Sequence, residues 1–108
     1  MVPVFDKHYF TFDSRHASYQ IWNVESDFIF IVAGELSKFD IKPGKPAIPI
    51  VGLDVVLWRW EKDGIKLEMS WDIWSGFSLD SKSEDGDVFL STFASHLDQF
   101  LEELEQGK

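Results

Sequence analysis

The Asp63–Gly64 pair constrains the fold of this chain more than any other feature of its sequence. It separates two runs of alternating apolar and polar residues, a pattern typical of a β-hairpin with a two-residue type I′ turn. With these residues as the turn, Trp60 pairs with Leu67. The other cross-strand pairs follow by moving one residue at a time along each strand, in opposite directions along the sequence. One face of the hairpin then carries only Val56, Trp58, Trp60, Leu67, Met69 and Trp71. The opposite face brings together the attractive pairs Glu61–Lys66 and Arg59–Glu68.

Further segments are expected to join this hairpin in an antiparallel sheet. Turn-rich links separate the segments upstream of it, and such short links favour antiparallel neighbours. Within the segment 28–36, the run Phe28 to Ala33 lacks polar alternation, which predicts a central strand that is covered on both faces or by the bulky rings of its neighbours. Pro3 restricts segment 2–5 to a sheet edge, so the sheet has five or six strands. The predicted strands are 2–5, 9–12, 17–24, 28–36, 54–62 and 65–74.

The segment 37–52 is interpreted as a long connection. It contains Pro43, Pro46 and Pro49, and each proline ring fixes φ and removes a hydrogen-bond donor. Neither a long helix nor a central strand is expected to run through it. Connections of this length either carry function or cross a sheet edge as packed structure, and the apolar residues near its end favour the second role.

Residues 87–105 are predicted to form an amphipathic helix. Asp85 or Asp87 is placed to cap its start, and Gly107 follows its end. Its apolar residues recur at helical spacing, at Phe89, Leu90, Phe93, Ala94, Leu97, Phe100, Leu101 and Leu104. The sequence therefore predicts an α+β fold, a meander-like antiparallel sheet with one C-terminal helix packed on one face. At 108 residues, a single domain over 1–108 is expected.

Patterns that carry catalysis, metal binding or cofactor binding are missing from the sequence. There is no cysteine, and His8, His16 and His96 lack the spacing of a zinc site. A calcium loop aligned on Gly86 would have Ser81 and Thr92 at its first and last positions, where carboxylates are needed, so the acidic stretch 80–87 is interpreted as a helix start, with a weak ion on Asp80, Glu84, Asp85 and Asp87 as the alternative. No glycine-rich phosphate loop occurs. No catalytic residue, metal ligand or cofactor is therefore predicted, which favours a non-catalytic role.

The charge balance narrows the classes of partner. With 19 acidic and 10 basic side chains the net charge is −9, and such a surface repels nucleic-acid phosphates. The N-terminus does not have the pattern of a signal peptide, and the longest apolar run is too short to cross a membrane. A cytoplasmic protein that binds neither nucleic acid nor membranes is the default expectation.

Two groups of residues are candidates for partner binding. On the predicted helix, Asp98, Glu102 and Glu105 fall on the side away from the apolar stripe, where they would attract a basic protein. The alternative is that these carboxylates only keep the domain soluble.

The second group surrounds Trp74, which falls on the polar face of the hairpin strand. With Leu57, Asp72 and Arg59 nearby, this ring would form an apolar spot with a charged rim, as in the centre of an interface. Alternatively, a bulge at Ser75–Gly76 rotates the strand end, or the 37–52 connection covers the ring.

The leading hypothesis is a small acidic, non-catalytic protein-binding domain. Its charge suits an inhibitor or immunity-type protein that neutralises a basic partner, by analogy from charge alone. The first alternative is a small-ligand-binding protein or small enzyme with a pocket between sheet and helix. The second alternative is a homodimeric structural protein.

Overall fold

The chain forms an antiparallel sheet with two helices, which confirms the predicted α+β class. A computed structural model describes residues 5–12, 15–44, 48–52 and 54–107. The elements are β1 (Lys7–Phe12), β2 (Arg15–Ile21), α1 (Phe28–Ser37), β3 (Lys42–Pro43), β4 (Ile50–Val51), β5 (Val55–Lys62), β6 (Ile65–Asp72), β7 (Gly76–Ser81) and α2 (Glu84–Glu105). The predicted strand 2–5 falls largely outside the described residues.

The sheet has the strand order β1-β2-β7-β6-β5-β3, and β4 also pairs with β5. Strands β5, β6 and β7 form a meander, and β2 pairs with β7, so the first hairpin extends the meander on one side. The described sheet has seven strands rather than five or six. Three strands are additional to the prediction. One is β7, and the other two are the two-residue strands β3 and β4, both of which lie within the predicted 37–52 connection.

The central hairpin agrees with the sequence in every predicted pair, including Trp60 with Leu67. Asp63 and Gly64 have φ values of 45° and 89°, as a type I′ turn requires. The apolar face is directed to the core, where Trp58 and Trp60 are only 8% and 2% exposed. The hairpin was predictable because the turn, the alternation and the charge pairs all favour one register.

The predicted strand 28–36 is wrong, because these residues form α1. Phe28, Ile29, Val32, Ala33 and Leu36 are buried, and their spacing follows one side of a helix. The β-branched and aromatic residues of this run favour a strand locally, but packing against the sheet outweighs that preference. The other side leaves Phe30 and Ile31 partly exposed.

Strand β7 is not among the predicted strands, although it lies in the middle of the sheet between β2 and β6. Its alternation is clear, because Phe77 and Leu79 are fully buried while Ser78 and Asp80 lie on the opposite face. Gly76 begins it with φ 76°, where a Cβ atom would come within 2.6 Å of the Ile21 carbonyl oxygen. The glycine thus permits the close approach of β2 and β7.

Several boundaries also differ from the prediction. β2 ends at Ile21 rather than at residue 24, and β6 ends at Asp72 rather than at residue 74. The Asp72 carboxylate explains the second difference, because its Oδ1 accepts hydrogen bonds from the backbone N–H groups of Trp74 and Ser75, at 2.9 and 2.6 Å. This contact turns the chain out of the strand.

The long helix α2 begins three residues earlier than predicted. Its N-cap is Ser83, whose side chain accepts a hydrogen bond from the Gly86 N–H at 3.0 Å, and not Asp85 or Asp87. Gly107 follows its C-terminal end with φ 75°, as expected for a glycine at that position.

Both helices pack on the same face of the sheet. Phe28 of α1 contacts Phe77 with ring centroids 5.3 Å apart, and the loop residue Phe39 links α1 to Phe93 of α2 at 5.4 Å. The other face, here called the open face, carries polar residues of the central strands, such as Ser18, Gln20, Ser78 and Asp80. None of the helices in the described ranges is long and apolar enough to cross a membrane.

Candidate protein-binding surfaces

Four carboxylates of α2 lie on the side of the helix that is directed towards β1 and β2. Asp87, Asp98, Glu102 and Glu105, here called the acidic stripe, share one side because each residue turns an α-helix by about 100°. Tyr19 Oη donates to Asp98 Oδ1 at 2.5 Å, and the Phe5 N–H donates to Glu105 Oε2 at 2.8 Å. The stripe therefore packs on β2 and borders the edge strand β1, where Glu105 also approaches Lys7.

Asp87 binds the same strands near the start of α2. Its Oδ2 is 2.7 Å from His16 Nδ1, and its Oδ1 accepts a hydrogen bond from the Ala17 N–H at 3.0 Å. Burial alone would raise the pKa of Asp87, but the hydrogen bonds from His16, Ala17 and Ser81 outweigh it and lower the pKa. Asp87 therefore carries its negative charge at neutral pH.

Two tyrosines beside the stripe keep their protons. Burial, followed by the hydrogen bond to Asp98, raises the pKa of Tyr19 far above its usual range. Burial and the nearby Asp87 charge also raise the pKa of Tyr9. Both hydroxyl groups are therefore neutral hydrogen-bonding groups at physiological pH.

The structure places the three predicted helix residues in unequal environments. Asp98 is half-buried and bound to Tyr19 of β2, and Glu105 is half-buried and bound to Phe5 just before β1, whereas Glu102 is exposed. The helical pattern alone could not separate them, because it does not show which strand lies beside the helix. A cavity of about 240 Å³ opens there, lined by Lys7, His8, Tyr9, Tyr19, Asp98 and Glu102.

The charged side chains of α2 are almost all acidic. The helix carries seven carboxylates and neither lysine nor arginine. Its last turn has no basic residue, although Glu102, Glu103 and Glu105 lie near the negative end of the helix dipole. Each such charge, where it is exposed, destabilises a helix by about 0.3–1 kcal/mol, so these glutamates lower the stability of this end of α2.

Around Trp74, the second predicted group is only partly brought together. Trp74 is 80% exposed, and the Asp72 carboxylate holds the turn in which it lies. Leu57 and Arg59 share the open face with Asp72 but lie further along β5, where Arg59 Nε is 3.5 Å from Glu68 Oε2. The described part of the connection forms β3 and β4 beside β5 and leaves Trp74 exposed.

Other exposed apolar residues at the same end of the sheet were not predicted. Ile73 precedes Trp74 in the turn, and Trp22 follows β2 at the position opposite Gly76. Val55 and Val51, at the same ends of β5 and β4, are also exposed. We call this group, Trp22, Val51, Val55, Ile73 and Trp74, the tryptophan end. The alternation Ser18, Gln20, Trp22 along β2 was the signal available for Trp22.

Trp22 belongs to a hydrogen-bonded chain on the open face. Its Nε1 donates to Gln20 Oε1 at 3.0 Å, and Gln20 Nε2 donates to Ser18 Oγ at 3.1 Å. Ser18 Oγ in turn donates to Asp80 Oδ1 at 2.5 Å. The Trp22 ring also stacks on His8, with centroids 3.6 Å apart. These contacts fix the orientation of the ring while 47% of the residue stays exposed.

The histidines and carboxylates of the described residues form pairs rather than larger clusters. Within the described ranges, no group of three or more histidine or carboxylate side chains is placed to hold a metal ion. Each histidine instead pairs with one carboxylate, His8 with Asp6, His16 with Asp87 and His96 with Glu35.

Comparisons of this chain with protein-family models, with curated proteins and with solved structures find no match.

Proposed function

We propose that this chain is a non-catalytic, cytoplasmic binding domain that recognises a basic protein, in the manner of an inhibitor or immunity-type protein. The acidic stripe along the β1 edge is the observation that carries the proposal. The stripe lies on a helix without lysine or arginine, in a chain of net charge −9, and its exposed Glu102 borders a cavity. A field of this kind steers a positively charged partner towards the β1 edge.

The tryptophan end gives the proposal its second contact. Exposed Trp74 and Trp22 lie at the same end of the sheet as the C-terminal end of α2, because Glu105 contacts Phe5 and Lys7 there. Large rings supply much of the binding energy in interfaces, and surrounding charges supply specificity.

The test uses a matched pair of charge reversals. Glu102→Lys changes the acidic stripe, whereas Glu103→Lys makes the same change about 100° around the helix, on another side. Tagged wild-type protein and both variants are used to capture proteins from the native host at about 50 mM and 500 mM salt.

The proposal expects one basic protein that is retained at low salt by the wild type and by Glu103→Lys, and at least tenfold less by Glu102→Lys. Equal retention by the two variants would contradict a role for the acidic stripe. Retention that does not change with salt would contradict an electrostatic partner.

A small-ligand role is the second candidate, and one observation favours it. The indole N–H groups of Trp58 and Trp60 are buried and have no hydrogen-bond acceptor in the part of the chain that the structure describes. A buried donor without an acceptor costs about 1–3 kcal/mol, which an acceptor oxygen of a ligand would relieve. The two rings lie 4.7 Å apart. A thermal-shift screen of metabolites supports this role if a hit loses its effect in Trp60→Phe.

A further inference from the structure

Strand β1 is an edge strand whose outer side carries backbone hydrogen-bonding groups. In the β1–β2 pair the Trp22 N–H donates to the Asp6 carbonyl oxygen at 3.1 Å, and the Asp6 N–H donates to Asn23 Oδ1 at 2.8 Å, so residues 6 and 22 are a pair whose backbone groups are directed towards the other strand. Because such pairs alternate, His8 and Phe10 also bind β2, while the backbone groups of Lys7 and Tyr9 are directed away from it. Among the described residues no strand pairs with this outer side.

The opposite edge of the sheet differs. Both β3 and β4 pair with β5, and the Gly44 and Gly52 N–H groups donate to the Arg59 and Val55 carbonyl oxygens, each at 2.8 Å. Native proteins usually cover or block their sheet edges in this way. Among the described residues the opposite edge therefore ends in two strands of two residues each, whereas the six-residue β1 is the long edge strand, and the acidic stripe lies beside it.

The charges beside β1 define what can pair with it. An added strand would direct alternate side chains to the helix face, next to Tyr9, Asp98 and Glu102. Lys7 is a basic residue of β1 on that face, and its Nζ lies 4.0 Å from Glu105 Oε1, which offsets its charge. Lysine or arginine side chains on the added strand are therefore favoured there, and carboxylates are disfavoured.

A second copy of this chain fits poorly as the added strand. Pairing β1 with β1 of another copy would bring two acidic stripes together along one edge, between molecules that each carry a charge of −9. Like charges placed opposite one another oppose such an interface.

We propose that β1 binds an extended, basic segment of a partner protein as an added antiparallel strand. This inference rests on the proposed function and specifies how the partner is held. Backbone hydrogen bonds to Lys7 and Tyr9 supply affinity, and the acidic stripe selects basic side chains on alternate positions.

The test uses three synthetic eight-residue peptides with blocked ends. The first peptide alternates lysine and valine, and the second alternates glutamate and valine. The third is the lysine–valine peptide with the backbone nitrogen of each lysine methylated, because the lysine N–H groups are the ones directed at β1. The first is expected to slow amide hydrogen exchange at Lys7 and Tyr9 at least tenfold, with smaller changes at His8 and Phe10, which already bind β2. The glutamate peptide is expected to have no effect, and the N-methylated peptide to bind at least tenfold more weakly.

A pair of variants separates backbone pairing from side-chain contacts. Tyr9→Pro removes an outward-directed N–H and keeps the hydrogen bonds to β2, while Tyr9→Ala keeps the N–H. Relative to wild type, we expect peptide affinity to fall at least tenfold in Tyr9→Pro but less than threefold in Tyr9→Ala. Circular dichroism and thermal unfolding establish that both variants are folded.

The outcomes distinguish this inference from the proposed function. Equal binding of the plain and N-methylated peptides overturns strand addition but leaves a basic partner in place. If Glu102→Lys abolishes partner capture while the lysine–valine peptide protects neither Lys7 nor Tyr9, only strand addition is overturned. Equal binding of the glutamate peptide contradicts both. Concentration-dependent sedimentation of the chain alone, lost in Tyr9→Pro, would instead assign the edge to a second copy.

Discussion

Tyr19 shows how one side chain connects the sheet to the acidic stripe. The residue is 1% exposed, and its hydroxyl group is bound to the half-buried carboxylate of Asp98. Tyr9 lies on the same face of the neighbouring strand but is 40% exposed. The two tyrosines therefore form a natural comparison between a hydroxyl that supports the fold and one that does not.

Tyr19→Phe is expected to lower the free energy of unfolding by about 1–2 kcal/mol, because a half-buried carboxylate loses its donor. Tyr9→Phe is expected to change it by less than about 0.5 kcal/mol. Urea unfolding of the wild type and both variants measures the difference. Equal losses in the two variants would show that the Asp98 contact does not stabilise the fold.

Trp74 and Trp58 also differ in exposure, and therefore in their expected contribution to stability, although both belong to the hairpin segment. With 80% of Trp74 exposed, Trp74→Ala is expected to change the free energy of unfolding by less than about 0.5 kcal/mol. Trp58→Ala removes a buried ring and is expected to cost about 3–5 kcal/mol. The same urea titrations measure both. A large loss in Trp74→Ala would mean that the ring serves the fold rather than a partner.

At the scale of elements, the 63–64 turn holds the hairpin in register. Gly64 has φ 89°, and a Cβ atom there would also approach Asp85 Oδ2 at 2.5 Å. Gly64→Ala is expected to cost about 1–2 kcal/mol, because residues with a Cβ disfavour this backbone region. Asp63→Asn is the control, with a change below about 0.5 kcal/mol, since asparagine also suits the first position of a type I′ turn. Thermal and urea unfolding distinguish the two.

The two helices are joined by a buried carboxylate. Glu35 of α1 is 4% exposed, and its oxygens lie 2.9 Å from His96 Nε2 of α2 and 2.9 Å from Lys38 Nζ. Burial alone would raise the pKa of Glu35, but these two hydrogen bonds outweigh it and lower the pKa below its ordinary value of 4.5. The folded chain therefore holds the ionised form more strongly than the unfolded chain does.

A pH dependence follows from that lowered pKa. The stability that ionised Glu35 contributes is present above pH 4.5 and is lost as the pH falls through the lowered pKa of the folded state. Glu35→Gln is expected to be less stable than wild type by about 1–2 kcal/mol at pH 7, and the difference is expected to shrink below pH 4.5. Unfolding titrations from pH 7 to 3 measure it. A difference that does not change with pH would contradict this account.

The elements also show where sequence reasoning worked and where it did not. The hairpin was predictable because turn, alternation and charge are local signals that agree. Helix α1 was not, because Phe28, Ile29 and Val32 favour a strand locally and become helical through packing on Phe77 and its neighbours. Burial of Asp98 by Tyr19 was likewise invisible, since it depends on β2 lying beside α2.

At the scale of the whole molecule, the acidic charge opposes the fold and favours a basic partner. A net charge of −9 on 108 residues repels itself, and α2 concentrates seven carboxylates without a compensating lysine or arginine. Salt screens both effects, since the screening length falls from about 30 Å at 0.01 M to about 3 Å at 1 M. The stability of the free chain and its affinity for a basic partner should therefore respond to salt in opposite directions.

We expect the free energy of unfolding to rise by about 0.5–1 kcal/mol between 10 mM and 1 M sodium chloride, while capture of a basic partner weakens over the same range. Glu103→Gln, which changes the net charge from −9 to −8, should reduce the salt dependence of unfolding. Lys42→Gln, which changes it from −9 to −10, should increase it. Urea unfolding at each salt concentration measures these changes. If salt stabilises wild type and both variants equally, repulsion among the carboxylates is not the cause of the stabilisation. The excess of carboxylates on α2 then does not lower the free energy of unfolding, and a basic partner has no repulsion to relieve.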